Sequence, residues 1–411
     1  EDPLVKRAAL EAAAHLYSPM IWAAIIPELA KNSTRSLAAS ALIEGGEAVL
    51  PLLQSATQDP EQDSQIVVAI ASICGRIATP EALEILKSLL NHQDASVRRQ
   101  AVVGLSRSAY QAQDQERHLI EQLFHAHAAD VAEIVAAQVD IGDERPVRLT
   151  AVALAQKRQE ETDNLLLLLS FLYDPQTVLS AREALRLGQF DEEKRAYAIE
   201  MLDILLDHDH KKILFPFLRR LDREQRLAAA QKHFPQILIG REPRLRAFLA
   251  DDSRVAARWL RLCAIYTLGL LEDRQATQAI FEALVQGSHD PVMVETALGS
   301  LEKTGQDQAL QEVGAHLEQA PDLTLATALE RWRGRDRQAM TLLQKADNLT
   351  QASIFATLTE NSIEVIAGLM KVVTVRSGET IIRQGDLGDC MYVVVEGQLR
   401  VHVGERTLDT V

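Results

Sequence analysis

Along most of this chain the apolar positions recur at helical spacing, and only near the C-terminus does the period change. Ile66, Val67, Ile70 and Ile73 follow Asp63 and gather on one helical face. Leu83, Leu86 and Leu90 form a second stripe after Thr79-Pro80-Glu81, where a capping hydroxyl precedes a proline at the first helical position. Val5, Ala9, Ala12, Ala13 and Leu16 give a third. From Val373 the period falls to two, with Val375 and then Ile381-Ile382 in short alternating runs. Gly378 and Gly385-Asp386-Leu387-Gly388-Asp389 punctuate these runs. Met391–Val395 and Leu399–Val403, joined by Glu396-Gly397, predict a hairpin.

The helical part repeats. Asp2-Pro3-Leu4-Val5-Lys6-Arg7 is echoed by Asp94-Ala95-Ser96-Val97-Arg98-Arg99, and Asp290-Pro291-Val292-Met293 returns later. In each an Asp stands where it can cap the helix that follows. The step from Asp63 to Asp94 is 31 residues, within the range of helical solenoids. One such helix pair cannot bury its own apolar face, so neighbours must stack on it. The Asp-x-x-apolar-basic start followed by Ala-Leu or Ala-Val resembles HEAT repeats.

Four segments follow from this reading. Regular HEAT-like repeats occupy 1–142, and irregular helical pairs of the same array occupy 143–250. Repeats return over 251–346, and the period-two region takes 350–411. Within the irregular segment, helices are expected over Val147–Gln156, Leu165–Tyr173, Ala196–Leu206 and Lys211–Leu221, the last broken or kinked by Pro216. Asp347-Asn348-Leu349-Thr350 reads as a junction. The expected fold class is mostly α, a HEAT-like α-solenoid with a C-terminal partial β jelly roll.

Composition narrows the function. The chain of 411 residues is 47% hydrophobic but 4% aromatic, which suits closely packed aliphatic helices, and its formal charge is −15. So acidic a chain is a poor partner for a phosphate backbone, and no nucleic acid is expected. Cys74, Cys263 and Cys390 lie far apart without a CxxC, which fits a reducing compartment and argues against a cysteine-rich zinc site. The apolar run Leu165–Leu172 is far short of the roughly 20 residues of a membrane helix. The sequence opens on Glu1 rather than Met and stops within a β-like region, so a longer protein is expected.

Gly378-Glu379, Gly385-Asp386, Gly388-Asp389, Tyr392 and Glu396-Gly397, after a helical stretch with Phe355 and Leu358, resemble the first half of a cyclic-nucleotide-binding domain of the catabolite-activator type. The resemblance covers 350–411 and implies a β jelly roll in which Gly378, Gly385, Gly388 and Gly397 are structural turn glycines. In that family a Gly-Glu-x-Ala segment and an arginine hold the cyclic phosphate later in the roll. No such pair is recognised here, so no ligand-binding residue is assigned. No cofactor is expected in this chain, and cAMP or cGMP would bind only a complete domain.

An acidic HEAT-like array joined to such a module also resembles the soluble region of bacterial ATP/ADP-carrier-like or major-facilitator transporters, and Arg195–Asp203 and Trp259–Ala264 look like recurrent segments of those arrays. The resemblance implies a non-enzymatic regulatory and scaffolding region in the cytoplasm, at the inner face of a bacterial membrane. Its partner would be a transporter segment or another protein. The alternative is a soluble cytoplasmic HEAT scaffold whose jelly roll binds no ligand.

Other chemistry-bearing residues are weighed against a plain reading. His208-Asp209-His210, with Asp207, suggests a metal, as do His118, His125 and His127. Adjacent positions do not converge as i and i+4 do, and no metal is expected. Arg331-Trp332-Arg333-Gly334-Arg335-Asp336-Arg337 is the densest basic run, with Trp332 as a candidate stacking residue. Arg241, Arg244, Arg246, Arg254, Arg258 and Arg261 form a second basic region, read as internal ion-pair partners or a docking face. No GxSxG or Walker-type motif occurs, so no catalytic residue is assigned.

Overall fold

A computed structural model of the chain describes residues 3–410 apart from 14, 15, 17, 32, 188–190, 251, 252, 254, 287–289, 305–329, 331, 335–338, 356, 357, 389, 404 and 405. Two compact units result, one of residues 1–131 with 160–220 and the other of 132–159 with 221–411. The units are interleaved along the chain, so each draws on both of the long helices at its middle.

The first unit holds α1 (Pro3–Ala13), α2 (Pro19–Ile25), α3 (Arg35–Glu44), α4 (Leu50–Thr57), α5 (Ser64–Ile77), α6 (Pro80–Leu89) and α7 (Ala95–Ser106), with parts of α8 (Gln115–Ile141) and α9 (Arg148–Leu169), then α10 (Pro175–Leu187), α11 (Glu192–Leu205) and α12 (His208–Leu218). Asp63 caps α5 by accepting from the Gln65 N–H at 2.8 Å, and Asp94 caps α7 by accepting from that of Ser96 at 2.7 Å. Ile66, Val67, Ile70 and Ile73 are buried as their spacing demands. In α1 the buried residues are Leu10 and Ala13, while Ala9 and Ala12 are exposed, so the stripe read there is turned. Leu16 lies past the helix end and is exposed.

Helix α9 differs most from expectation. The two stretches Val147–Gln156 and Leu165–Tyr173 are not separate helices. One helix runs through the polar residues 157–164 between them. Those residues have buried partners, described below, so the polarity that reads as a loop is internal. Helix α12 runs through Pro216 and ends two residues later, at Leu218. A proline so close to the end removes one helical hydrogen bond and leaves little helix to deflect.

The second unit continues with α13 (Arg223–Ala230), α14 (Arg241–Ala247), α15 (Arg258–Leu270), α16 (Thr277–Gln286), α17 (Pro291–Lys303), α18 (Leu342–Gln351) and α19 (Glu360–Leu369). Asp290 caps α17 by accepting from the Val292 N–H at 3.0 Å. Cys263, Ala264, Ile265 and Leu268 of α15 are fully buried against α17 and its neighbours. Asp347-Asn348-Leu349-Thr350 is no junction: it lies inside α18, which opens with a Thr341–Gln344 capping box, and Leu349 and Thr350 are buried.

The strand expectations are met only in part. The described strands are β1 (Arg400–Val403) and β2 (Arg406–Thr410), paired antiparallel with a register shift after Val401. The hairpin therefore joins Arg400–Val403 to the segment after it, not to Met391–Val395. Alternation makes a segment able to be a strand, but a ladder needs a partner for its N–H and C=O groups. Val373, Ile382 and Met391 are exposed, and no strand is assigned at their segments.

Candidate functional site

The C-terminal module begins with turns. The Glu379 N–H donates to the Arg376 carbonyl at 3.0 Å, and the Glu379 carboxylate accepts from the Arg376 N–H at 3.1 Å. Gly378 sits within this turn at φ +85°. Asp386 N–H donates to the Arg383 carbonyl beside Gly385, at φ +97°, and Gly397 has φ +95°. These three occupy the left-handed region that glycine enters without a steric penalty. Gly388 does not have a positive φ, and a Cβ there would meet open space. Among the described residues of 372–410 there is no helix, hence no helix N-terminus to face an anion. A Gly-Glu-x-Ala segment is also lacking there, so these residues alone do not fit a cyclic phosphate.

The helices that precede the module are firmly seated. Helices α18 and α19 pack on each other, and the Lys345 ammonium donates to the Met370 carbonyl at 2.9 Å, where α19 ends. The Gln156 side-chain amide donates to the Leu358 carbonyl at 2.6 Å. Arg258 at the start of α15 grips two carboxylates at once. It meets Asp290 at 2.5 and 3.2 Å and Glu364 of α19 at 2.7 and 2.9 Å. Burial works against its charge, but Glu364 and Asp290 outweigh it and hold the guanidinium protonated. Behind this clamp, burial pushes the Asp347 carboxyl above the usual range, although Arg148, Arg145, the Tyr266 hydroxyl and Lys303 pull the other way.

The histidines do not converge. His208 is exposed, whereas His210 is buried with Phe124 edge-on at 4.9 Å between ring centroids. The His210 Nδ1 lies 2.8 Å from the Tyr173 hydroxyl and 3.1 Å from Asp207, and its Nε2 lies 2.9 Å from Glu121. Partial burial works against the Asp207 charge, but the His210 backbone N–H, the Tyr173 hydroxyl and the His210 ring outweigh it and draw the carboxyl down to about 2. Burial, together with the Asp207 and Glu121 carboxylates, pushes the Tyr173 phenol up to about 12. His118 meets Gln122, and His125 lies edge-on to Phe124. No cluster of three or more metal-ligating side chains occurs among the described residues.

The second basic region is bound inward. Arg244 meets Asp140 at 2.9 Å, Arg246 meets Asp273 at 2.5 Å, and Arg241 pairs with Glu144. Arg261 donates to the Ala250 carbonyl at 3.1 Å, and Arg254 lies outside the described residues. In the first basic run, Arg331, Arg335, Asp336 and Arg337 also lie outside them. Trp332 is not a free stacking platform, because its ring packs against α17 at Gly299, 3.1 Å from where a Cβ would stand.

Sequence reasoning missed the polar interior of α9. Glu161, with 5% of its side chain exposed, takes Arg99 at 3.0 Å, His127 at 2.7 Å and Asn164 at 3.2 Å. Arg99 also pairs with Glu160, and Arg182 meets Asp163 at 3.0 Å. A buried carboxylate is tolerated when it is paired and hydrogen-bonded. The available signal was Glu160-Glu161-Thr162-Asp163-Asn164 set between two apolar stretches without a glycine or proline to break the helix.

The chain matches the HEAT-repeat family over residues 23–106 and again over 49–140, and the cyclic nucleotide-binding domain family over residues 372–410. The matched residues take in the helices from α2 to α8, all but the last part of α8 lying in the first unit, and the short sheet fits a partial domain of the second family. A repeat scaffold of the protein-interaction kind joined to such a domain fits a regulatory role. Among the described residues no single helix is long and apolar enough to cross a membrane.

Proposed function

We propose that this chain is a non-enzymatic regulatory scaffold in which the HEAT-like helices bind a protein partner and the C-terminal module biases that binding. The observation that carries this reading is the presence of both family matches on one chain. The hydrogen bonds of Arg258, Lys345 and Gln156 to α19 and its flanking residues support it, because they tie the helix that leads into the module to packed helices of the same unit.

The partner in this proposal is a bacterial membrane transporter of the nucleotide-carrier or major-facilitator kind, with the chain at the cytoplasmic face. Titration calorimetry of the full-length protein with cAMP and cGMP tests the sensing role. Saturable heat with either nucleotide supports it, and no heat with both removes it. Membrane fractionation tests the partner. Recovery with the inner membrane, together with a nucleotide carrier on affinity purification, supports a transporter, and a wholly soluble distribution removes it.

A second reading, a scaffold whose jelly roll takes no ligand, is favoured by the lack of a phosphate-holding segment in residues 372–410. A partner retained by the helical part without the module, unaffected by either nucleotide, would select this reading.

A further inference from the structure

Helix α11 turns two large apolar side chains to solvent, Tyr197 at 61% and Ile204 at 81% exposed. No other helix among the described residues of the first unit carries two. Glu193 and Glu200 are exposed on the same helix. Glu193, Tyr197, Glu200 and Ile204 are spaced i, i+4, i+7 and i+11. At about 3.6 residues per turn they fall within about 60° of one another around the axis, so they form one outward stripe of acid, apolar, acid and apolar.

The helix beneath the stripe is fixed. Ala198 and Leu202 are buried on its opposite face, and α11 packs on α10. Asp191 caps it by accepting from the Glu193 and Lys194 N–H groups at 3.1 and 3.2 Å. Arg195 donates to the Leu218 carbonyl and Glu192 pairs with Arg220, which ties α11 to α12 and the residues after it. The stripe is therefore presented in one orientation, and a partner need not order it on binding.

Charge selects the occupant. The nearby lysines are spent, Lys194 on Asp191 at 3.0 Å and Lys211 on Asp203 at 3.4 Å. The Glu193 and Glu200 carboxylates and the Tyr197 hydroxyl have no hydrogen-bond or ion-pair partner among the described residues. An anionic lipid surface or a nucleic acid is repelled by the two carboxylates. A second copy of the chain in parallel register sets carboxylate against carboxylate. In antiparallel register it sets Glu193 against Ile204 and Glu200 against Tyr197, which desolvates the carboxylates of both copies without supplying a cation. A helix that carries Lys or Arg and aliphatic residues at the same spacing satisfies both halves of the stripe.

We infer that the outward face of α11 is a docking surface for a basic amphipathic helix of a partner protein, whose cations meet Glu193 and Glu200 while its aliphatic side chains cover Tyr197 and Ile204. The inference rests on the scaffold reading in requiring a protein partner, and it is independent of any cyclic nucleotide.

The test uses the full-length protein and a phage-displayed library of single helices randomised at outward positions spaced i, i+4, i+7 and i+11, with binding measured by fluorescence polarisation. The expected result is enrichment of Lys or Arg at two positions and of aliphatic residues at the other two, with binding that weakens as salt rises. Glu200→Lys and Ile204→Ser should each weaken a selected helix about tenfold, the first by turning an attraction into a repulsion and the second by removing apolar contact. Both positions are exposed, so circular dichroism should show the fold intact. Exchanging the facing cation of the helix for Glu should restore binding to Glu200→Lys, which a folding defect would not allow. The inference is overturned if no such helix is enriched, or if selected helices bind both variants as tightly as wild type. It is equally overturned if the chain sediments as a dimer that Ile204→Ser dissolves, or if Ile204 instead carries the protein onto phosphatidylserine vesicles. A natural partner retained in full by the Glu200→Lys, Ile204→Ser double variant removes this site and leaves the scaffold reading standing, and the nucleotide titration can fail without affecting either.

Discussion

Gly75 of α5 and Gly104 of α7 meet so closely that a Cβ on Gly75 would stand 2.6 Å from the Gly104 Cα. Helices of successive repeats are therefore in backbone contact at this point. The pairing recurs in the second unit, where a Cβ on Gly269 of α15 would stand 2.7 Å from the Cα of Ser300 on α17, and the Ser300 hydroxyl donates to the Ile265 carbonyl at 2.8 Å.

Substitution of Gly75 by Ala should lower stability, since the facing atom is backbone and cannot swing away. The expected cost is about 1–3 kcal/mol, the usual range for overpacking. Urea denaturation of the full chain checks it. A neutral or stabilising Gly75→Ala would mean that these helices can separate freely.

Ala264 is fully buried on α15. Ala264→Asp places a carboxylate there with no partner built for it, and a loss of roughly 3–5 kcal/mol is expected. Ala264→Gly serves as the control, with a loss of about 1 kcal/mol from helix propensity. Thermal melts of both variants beside wild type give the comparison.

Asp207 caps α12 and also meets Tyr173 and His210. Its carboxyl is depressed to about 2, below the ordinary value of the unfolded chain. Its contribution is therefore complete above about pH 4 and fades as pH falls from there toward 2. Asp207→Asn should lower the melting temperature at pH 7, where loss of the charged contacts is felt, and the gap to wild type should narrow on acidification through that window. A gap independent of pH would show that its ionisation does not contribute to folding.

Arg258 links Asp290 to Glu364, but its side chain is 46% exposed, so solvent screens the pair. Arg258→Ala should cost only about 1 kcal/mol globally. Its clearer effect should be local, as faster hydrogen exchange in α19 with little change in α5 or α7. Equal exchange in α19 would remove Arg258 from the seating of the C-terminal module.

Helix starts were legible in the sequence because capping is a short-range event. Asp63, Asp94, Asp191 and Asp290 each reach an N–H two residues on, and that spacing is visible in the chain itself. The left-handed glycines Gly378, Gly385 and Gly397 were legible for the same reason, as turns need only their neighbours. Asp347–Thr350 misled because its polar residues resemble a linker, and only the capping box at Thr341 and the burial of Leu349 show a helix.

The sequence by itself thus determined the repeat, its helix starts and the change of period near Val373, all set by residues a few positions apart. The tertiary structure decided what the charges are for. Glu161 with Arg99 and Asp140 with Arg244 are separated by 62 and 104 residues, so nothing local marks them as partners. It also decided which strand-like runs pair, since a strand makes its ladder hydrogen bonds to other segments and becomes a strand only where one lies beside it.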